Sequence, residues 1–188
     1  MNPKISDFGT ATMFHLNQSK ENTGRVVGTY GYMPPEYVMC GYFSIKSDIF
    51  SFGVVVLKIL SGQKINRFHK GSEGQSLLSF AWMNWGQGTA LNLVDENLLS
   101  DDNTDLLRCI NIALLCVQED DALRPNMSTV IPMLSSRSIT LPAPSRPGFL
   151  LGSDNDSGRW SAQHSANRSA ALGNVYSNVV SDSAFHPR

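Results

Sequence analysis

The 188-residue chain carries 15 basic and 16 acidic residues, a formal charge of −1, with no block of like charge. It lacks the phosphate-neutralising surface that nucleic acid or an anionic membrane requires, so neither is an expected partner. A hydrophobic fraction of 41% is enough for one folded core, and three cysteines without a Cys-x-x-Cys pair fit neither a disulfide framework nor a zinc site, which points to a reducing, cytoplasmic setting.

In chain order, residues 9–35 are polar, rich in Gly and Pro and without a sustained period, and read as a long loop. Ser47-Asp48 then precedes Ile49-Phe50-Ser51-Phe52-Gly53-Val54-Val55-Val56-Leu57-Lys58-Ile59-Leu60, a capped run apolar nearly all round and closed by Ser61-Gly62. A helix buried in mid-domain is expected there. The run is too short to cross a bilayer and contains Lys58, so direct membrane insertion is not expected.

Residues 63–75 read as a surface connection, and residues 76–85 as a short helix packing Phe80, Trp82 and Trp85. Asp102 to Thr104 can cap a further helix on which Leu106, Leu107, Ile110, Ala113, Leu114 and Val117 recur at helical spacing, with Cys109 and Cys116 as small core residues. A last helix is expected from about Met127 to Leu134, where Pro132 should kink it or shift its start. From residue 136 the chain turns Pro-, Ser- and Asn-rich and is expected to be disordered to residue 188.

Four segments carry chemical meaning in sequence order: Asp7-Phe8-Gly9, Gly28-Thr29-Tyr30-Gly31-Tyr32-Met33-Pro34-Pro35-Glu36, Ser47-Asp48-Ile49-Phe50-Ser51-Phe52-Gly53 and Leu123-Arg124-Pro125. With them the chain resembles the eukaryotic protein kinases, in particular the plant receptor-like serine/threonine kinases of the cysteine-rich or S-domain type. The resemblance covers residues 1–135 and implies a mainly α fold. That fold is the C-terminal (large) lobe fragment of a kinase domain, with a long activation loop, ahead of the tail at 136–188.

The resemblance also assigns roles. Asp7 matches the magnesium-binding aspartate, a hard oxygen ligand suited to Mg2+ on the phosphates of ATP. Ser19, Thr23, Thr29 and Tyr30 lie in the activation loop as hydroxyls that another kinase could phosphorylate. Glu36 and Arg124 match an ion pair tying the end of that loop to the last helices. Asp48 matches a residue that accepts hydrogen bonds from the catalytic loop, or else caps its own helix.

Pro34, Lys58 and Leu123 depart from the usual residues at positions expected to lie on the surface or in a loop. These 188 residues contain no Gly-x-Gly-x-x-Gly loop, no Val-Ala-Ile-Lys strand and no His-Arg-Asp segment. Neither Mg2+ nor ATP is therefore expected to bind appreciably, and phosphoryl transfer by the chain alone is not expected. Met1 falls inside the family's usual Met-Asn-Pro-Lys-Ile-Ser-Asp-Phe-Gly stretch, so an internal methionine taken as the start is expected.

Two functions are compatible with this reading. One is part of a receptor-like kinase acting on protein substrates at the cytoplasmic side of the plasma membrane, anchored elsewhere. The other is a non-catalytic binding or scaffold module competing with complete kinases. Loss of upstream packing partners would leave an apolar face of the central helix open to water.

Overall fold

The computed structural model describes residues 4–6, 8–11, 13, 20–63 and 75–148. Within them the chain is mostly helical, built from α1 (Pro35–Cys40), α2 (Ile45–Ser61), α3 (Leu77–Gly86), α4 (Thr104–Cys116) and α5 (Met127–Ser135). Two two-residue strands, β1 (Glu21–Asn22) and β2 (Tyr42–Phe43), pair antiparallel with Glu21 opposite Phe43. The sequence offered no alternation to announce that pairing. It is held by two residues a side and by Thr23 N–H donating to Gly41 O at 3.0 Å.

The central helix α2 begins three residues earlier than Ser47-Asp48 suggested. An N-cap needs extended backbone, and Ser44 has it (φ −158°, ψ 178°). Its Oγ accepts from Lys46 N–H at 3.0 Å while Ser47 Oγ accepts from Ser44 N–H at 3.1 Å. Ser47 is thus the reciprocal member of a capping box and Asp48 lies inside the first turn. The far end stops at Gly62, whose left-handed conformation (φ +65°) turns the chain away.

The core forms where α2 crosses α4. Phe50, Val54 and Leu57 from α2 meet Ile110, Ala113 and Leu114 from α4, all fully buried. The helices approach closely because Gly53 has no side chain: a Cβ there would stand 2.7 Å from Cys116 Cβ and 2.8 Å from Ala113 O. Leu77, Leu78, Phe80 and Ala81 of α3 close one end of this cluster, with Trp82 and Trp85 packed on its edge. A second cluster joins Ile49 to Ile112, Cys116, Val130 and Met133, seating α5.

On its remaining face α2 presents Val55 (39% exposed) and Ile59 (66%) to solvent. Pro132 does sit inside α5, but on the exposed side, and the helix starts at Met127 and runs on to Ser135. Proline there removes one backbone donor without disturbing the buried face that Val130 and Met133 form.

Residues 136–148, assigned to a disordered tail from their composition, instead pack on the helical body. Ile139 and Leu141 join the second cluster, and Pro144, Pro147 and Gly148 are buried. Glu119 N–H donates to Arg146 O and Gly148 N–H to Val117 O, each at 3.0 Å, so the segment is extended by main-chain bonds rather than by its own periodicity. The rest of the assigned tail, 149–188, lies outside the described residues. No helix among the described residues is long and apolar enough to cross a membrane.

Candidate functional site

The Leu123-Arg124-Pro125 turn follows α4 and delivers a guanidinium into the protein interior. Arg124 is the bulkiest of the fully buried side chains, and every nitrogen of its planar fork has an acceptor. Nη1 and Nη2 donate to the two carboxylate oxygens of Glu36 at 2.7 and 2.9 Å, a bidentate pair. Nε donates to Gln118 O at 2.8 Å, and longer bonds reach Lys46 O (3.2 Å) and Glu119 O (3.3 Å). The group also lies 5.0 Å from the centre of the Phe50 ring.

A charge this deep is tolerable only because all its donors are used and its partner is charged. Glu36 sits in the first turn of α1, which fixes its direction, and α1 starts at Pro35 with Pro34 as its extended N-cap (φ −75°, ψ 160°). Pro34 is buried in the loop that leads into α1, and its backbone suits a ring that locks φ near this value. Lys46 closes the ring of contacts by donating from Nζ to Arg124 O. Burial holds the Lys46 ammonium below its ordinary pKa, opposed by Asp121 and reinforced by Arg124.

Upstream of α1 the chain makes a turn in which Tyr32 N–H donates to Thr29 O at 3.2 Å, with Gly28 (φ +138°) and Gly31 (φ +96°) in backbone conformations that L side chains rarely adopt. The turn is pinned from below. Ser51 Oγ of α2 donates to Tyr32 O at 2.8 Å, and Lys58 Nζ stands 5.6 Å above the Tyr32 ring. Tyr37 Oη of α1 accepts from Val27 N–H at 2.9 Å and reaches Val27 O at 3.1 Å. Thr29 and Tyr30 are left exposed on the outer side.

Residues 1–132 match the protein kinase domain family. Among relatives, Cysteine-rich receptor-like protein kinase 8 of Arabidopsis thaliana is 53% identical over 154 residues, covering 81% of this chain and 23% of the relative. Cysteine-rich receptor-like protein kinase 10 is 46% identical over 189 residues, covering 100% and 28%. The G-type lectin S-receptor-like serine/threonine-protein kinase SRK is 48% identical over 159 residues, covering 81% and 19%. The chain belongs to the protein kinase family.

Within that family it groups with the plant receptor-like serine/threonine kinases, and it spans roughly a quarter of the length of the curated relatives it matches. The structure brings Glu36 and Arg124 together, 88 residues apart in sequence. Thr23 stands on the other side of the Val27 bonds, where its Oγ1 accepts from Arg25 N–H at 3.2 Å. Asp48 is exposed in the first turn of α2, so the capping role considered for it falls to Ser44. Asp7 and Ser19 lie outside the described residues.

Protein kinases as a family use ATP and Mg2+. Among the described residues, which do not include Asp7, no group of three or more His, Cys, Asp or Glu side chains could hold a metal ion. Two cavities, about 270 and 340 Å3, border α4 and the segment after α5, and neither is lined by residues 20–36.

Three participants escaped the sequence reading: Gln118, whose backbone oxygen takes Arg124 Nε; Tyr37, whose hydroxyl clasps Val27; and Lys58, half-buried over Tyr32 rather than on a free surface. No local pattern marks them, because each acts on a residue on another element.

Proposed function

We propose that this chain is the C-terminal portion of a receptor-like serine/threonine protein kinase domain, working on the cytoplasmic side of a membrane-anchored receptor. Its part is to present protein substrates to catalytic groups that these 188 residues do not contain. The bidentate Glu36–Arg124 pair carries this reading, because it ties the end of the Gly28–Glu36 stretch to α2 and to residues 118–119 after α4, with the two hydroxyl residues Thr29 and Tyr30 exposed. In this reading residues 10–34 are the activation segment, with Ser19, Thr23, Thr29 and Tyr30 as its phosphorylation candidates, and Asp7 is a magnesium ligand of the complete site. Asp48 steadies the catalytic loop of the complete domain.

Without a phosphate-covering glycine loop, an ATP-orienting lysine and a catalytic aspartate, the chain does not transfer phosphate alone. Assay of the purified chain with Mg-ATP and a serine/threonine peptide should give incorporation indistinguishable from a no-protein blank, and calorimetry should register no binding of Mg-ATP. Micromolar binding or turnover would overturn the inactivity.

A further inference from the structure

Residues 144–148 lie as a strap across the base of the Glu36–Arg124 pair. Pro147 bridges antiparallel to Gln118, flanked by the Glu119–Arg146 and Gly148–Val117 main-chain bonds. The strap touches both residues that frame the ion pair: a Cβ on Gly148 would stand 2.5 Å from Pro35 Cγ and 3.5 Å from Phe50 Cε2. Pro35 is the first residue of α1, next to Glu36, and Phe50 lies under the Arg124 guanidinium.

One side chain closes the strap. Gln118 is buried, and its Nε2 donates to Leu115 O at 3.0 Å and Leu123 O at 2.8 Å. Both amide hydrogens are therefore spent on carbonyls, which fixes the amide orientation and leaves Oε1 pointing at the strap as a pure acceptor. Oε1 accepts from Ser145 N–H at 2.8 Å and from Ser145 Oγ at 2.6 Å. Because Gln118 cannot flip to offer a donor without stranding two carbonyls, the Ser145 hydroxyl must be the donor. The Ser145 residue is nevertheless exposed, in an irregular stretch between Pro144 and Arg146.

We infer that Ser145 is a modification site acting as the trigger of a latch: a phosphoryl group on its Oγ opens the strap and loosens the seat of α1. A second serine/threonine kinase using a nucleoside triphosphate would form the Oγ–P bond. The bond between the γ-phosphorus and the nucleoside diphosphate breaks, and the hydroxyl proton passes to that kinase's base. The ester has no proton to give Gln118 Oε1 and sets negatively charged oxygens against it. The Pro35 and Phe50 contacts loosen with the strap. The link to the end of the activation segment rests on the function proposed above, but the latch does not require catalysis.

Hydrogen exchange by mass spectrometry on the full 188-residue chain tests it. Three forms are compared: unmodified, phosphoserine at position 145 introduced by protein ligation, and Ser145→Ala. Loss of a bond of this kind should speed exchange of the Gly148 and Glu119 amides roughly fivefold or more in the phosphorylated chain, with a smaller rise over residues 35–40. Ser145→Ala keeps the backbone bond to Gln118 and should lie between the other two. Unchanged exchange in the phosphorylated strap overturns the latch, and so does a freed strap that leaves residues 35–40 unchanged. Neither outcome bears on whether the chain transfers phosphate.

Discussion

The stretch from Lys20 to Val27 and the ring of groups around Arg124 belong to one reading of function but are held in opposite ways. The Arg124 ring is redundant and buried: bonds to Glu36, Gln118, Lys46 and Glu119 converge on one side chain of which none is exposed. The earlier stretch is held at its margins, by a two-residue strand pair, a tyrosine hydroxyl and a Lys20–Asp121 contact whose lysine is 49% exposed. Removing either member of the Glu36–Arg124 pair leaves the other charge without its partner, whereas removing one bond from the second region exposes little that water cannot replace. An anchor needs that rigidity, and a segment proposed to be modified and to meet substrates needs to yield.

The contrast breaks most visibly at Arg124. Arg124→Ala strands the Glu36 carboxylate and the carbonyls around it and should cost ~3 to 5 kcal/mol in a urea unfolding midpoint experiment. A cost near that of an ordinary surface pair would mean that the ring is not an anchor. Gly53→Ala should come next, at roughly 1 to 3 kcal/mol, because the added methyl meets Cys116 and the Ala113 carbonyl where α2 crosses α4. Thermal melting of that variant checks it.

The cysteines extend the comparison to pH. Burial pushes the Cys116 thiol up from 9.0 to about 12, so the folded chain keeps a proton that the unfolded chain releases. The contribution is fully present below pH 9 and is lost as pH climbs from 9 towards 12, by up to ~1.4 kcal/mol per pH unit. Cys116→Val should flatten that alkaline decline. At pH 8 the exposed Cys40 should react with a thiol reagent in the native chain, while Cys116 reacts only on unfolding. The smallest effect belongs to Lys20→Ala, ~1 kcal/mol or less in stability, with faster exchange at Glu21 to Thr23 as its signature.

The helices were readable because each is written locally. Apolar residues recur at helical spacing along α4, Ser76 caps α3, and Gly62 ends α2. Glu36 and Arg124 were readable only through family resemblance, since nothing local says that two charges 88 residues apart will meet. The strap was misread for a physical reason. Its prolines and serines carry no period, so composition classes it with disordered chain, yet its order comes from main-chain groups of residues 117–119 and the Gln118 amide. Ser44 was overlooked as the cap of α2 because Ser47 is an equally good capping residue three positions later, and both turn out to be used.

A chimera puts the central claim to the most direct test. In Cysteine-rich receptor-like protein kinase 8, the segment matching this chain is replaced by these residues, and phosphate transfer from ATP to a serine/threonine peptide is measured beside the isolated chain. If the chain is the anchoring and substrate-presenting portion of such a kinase, the chimera transfers phosphate, the isolated chain does not, and Arg124→Ala in the chimera abolishes transfer. A folded chimera without activity, or an isolated chain with it, would contradict the account.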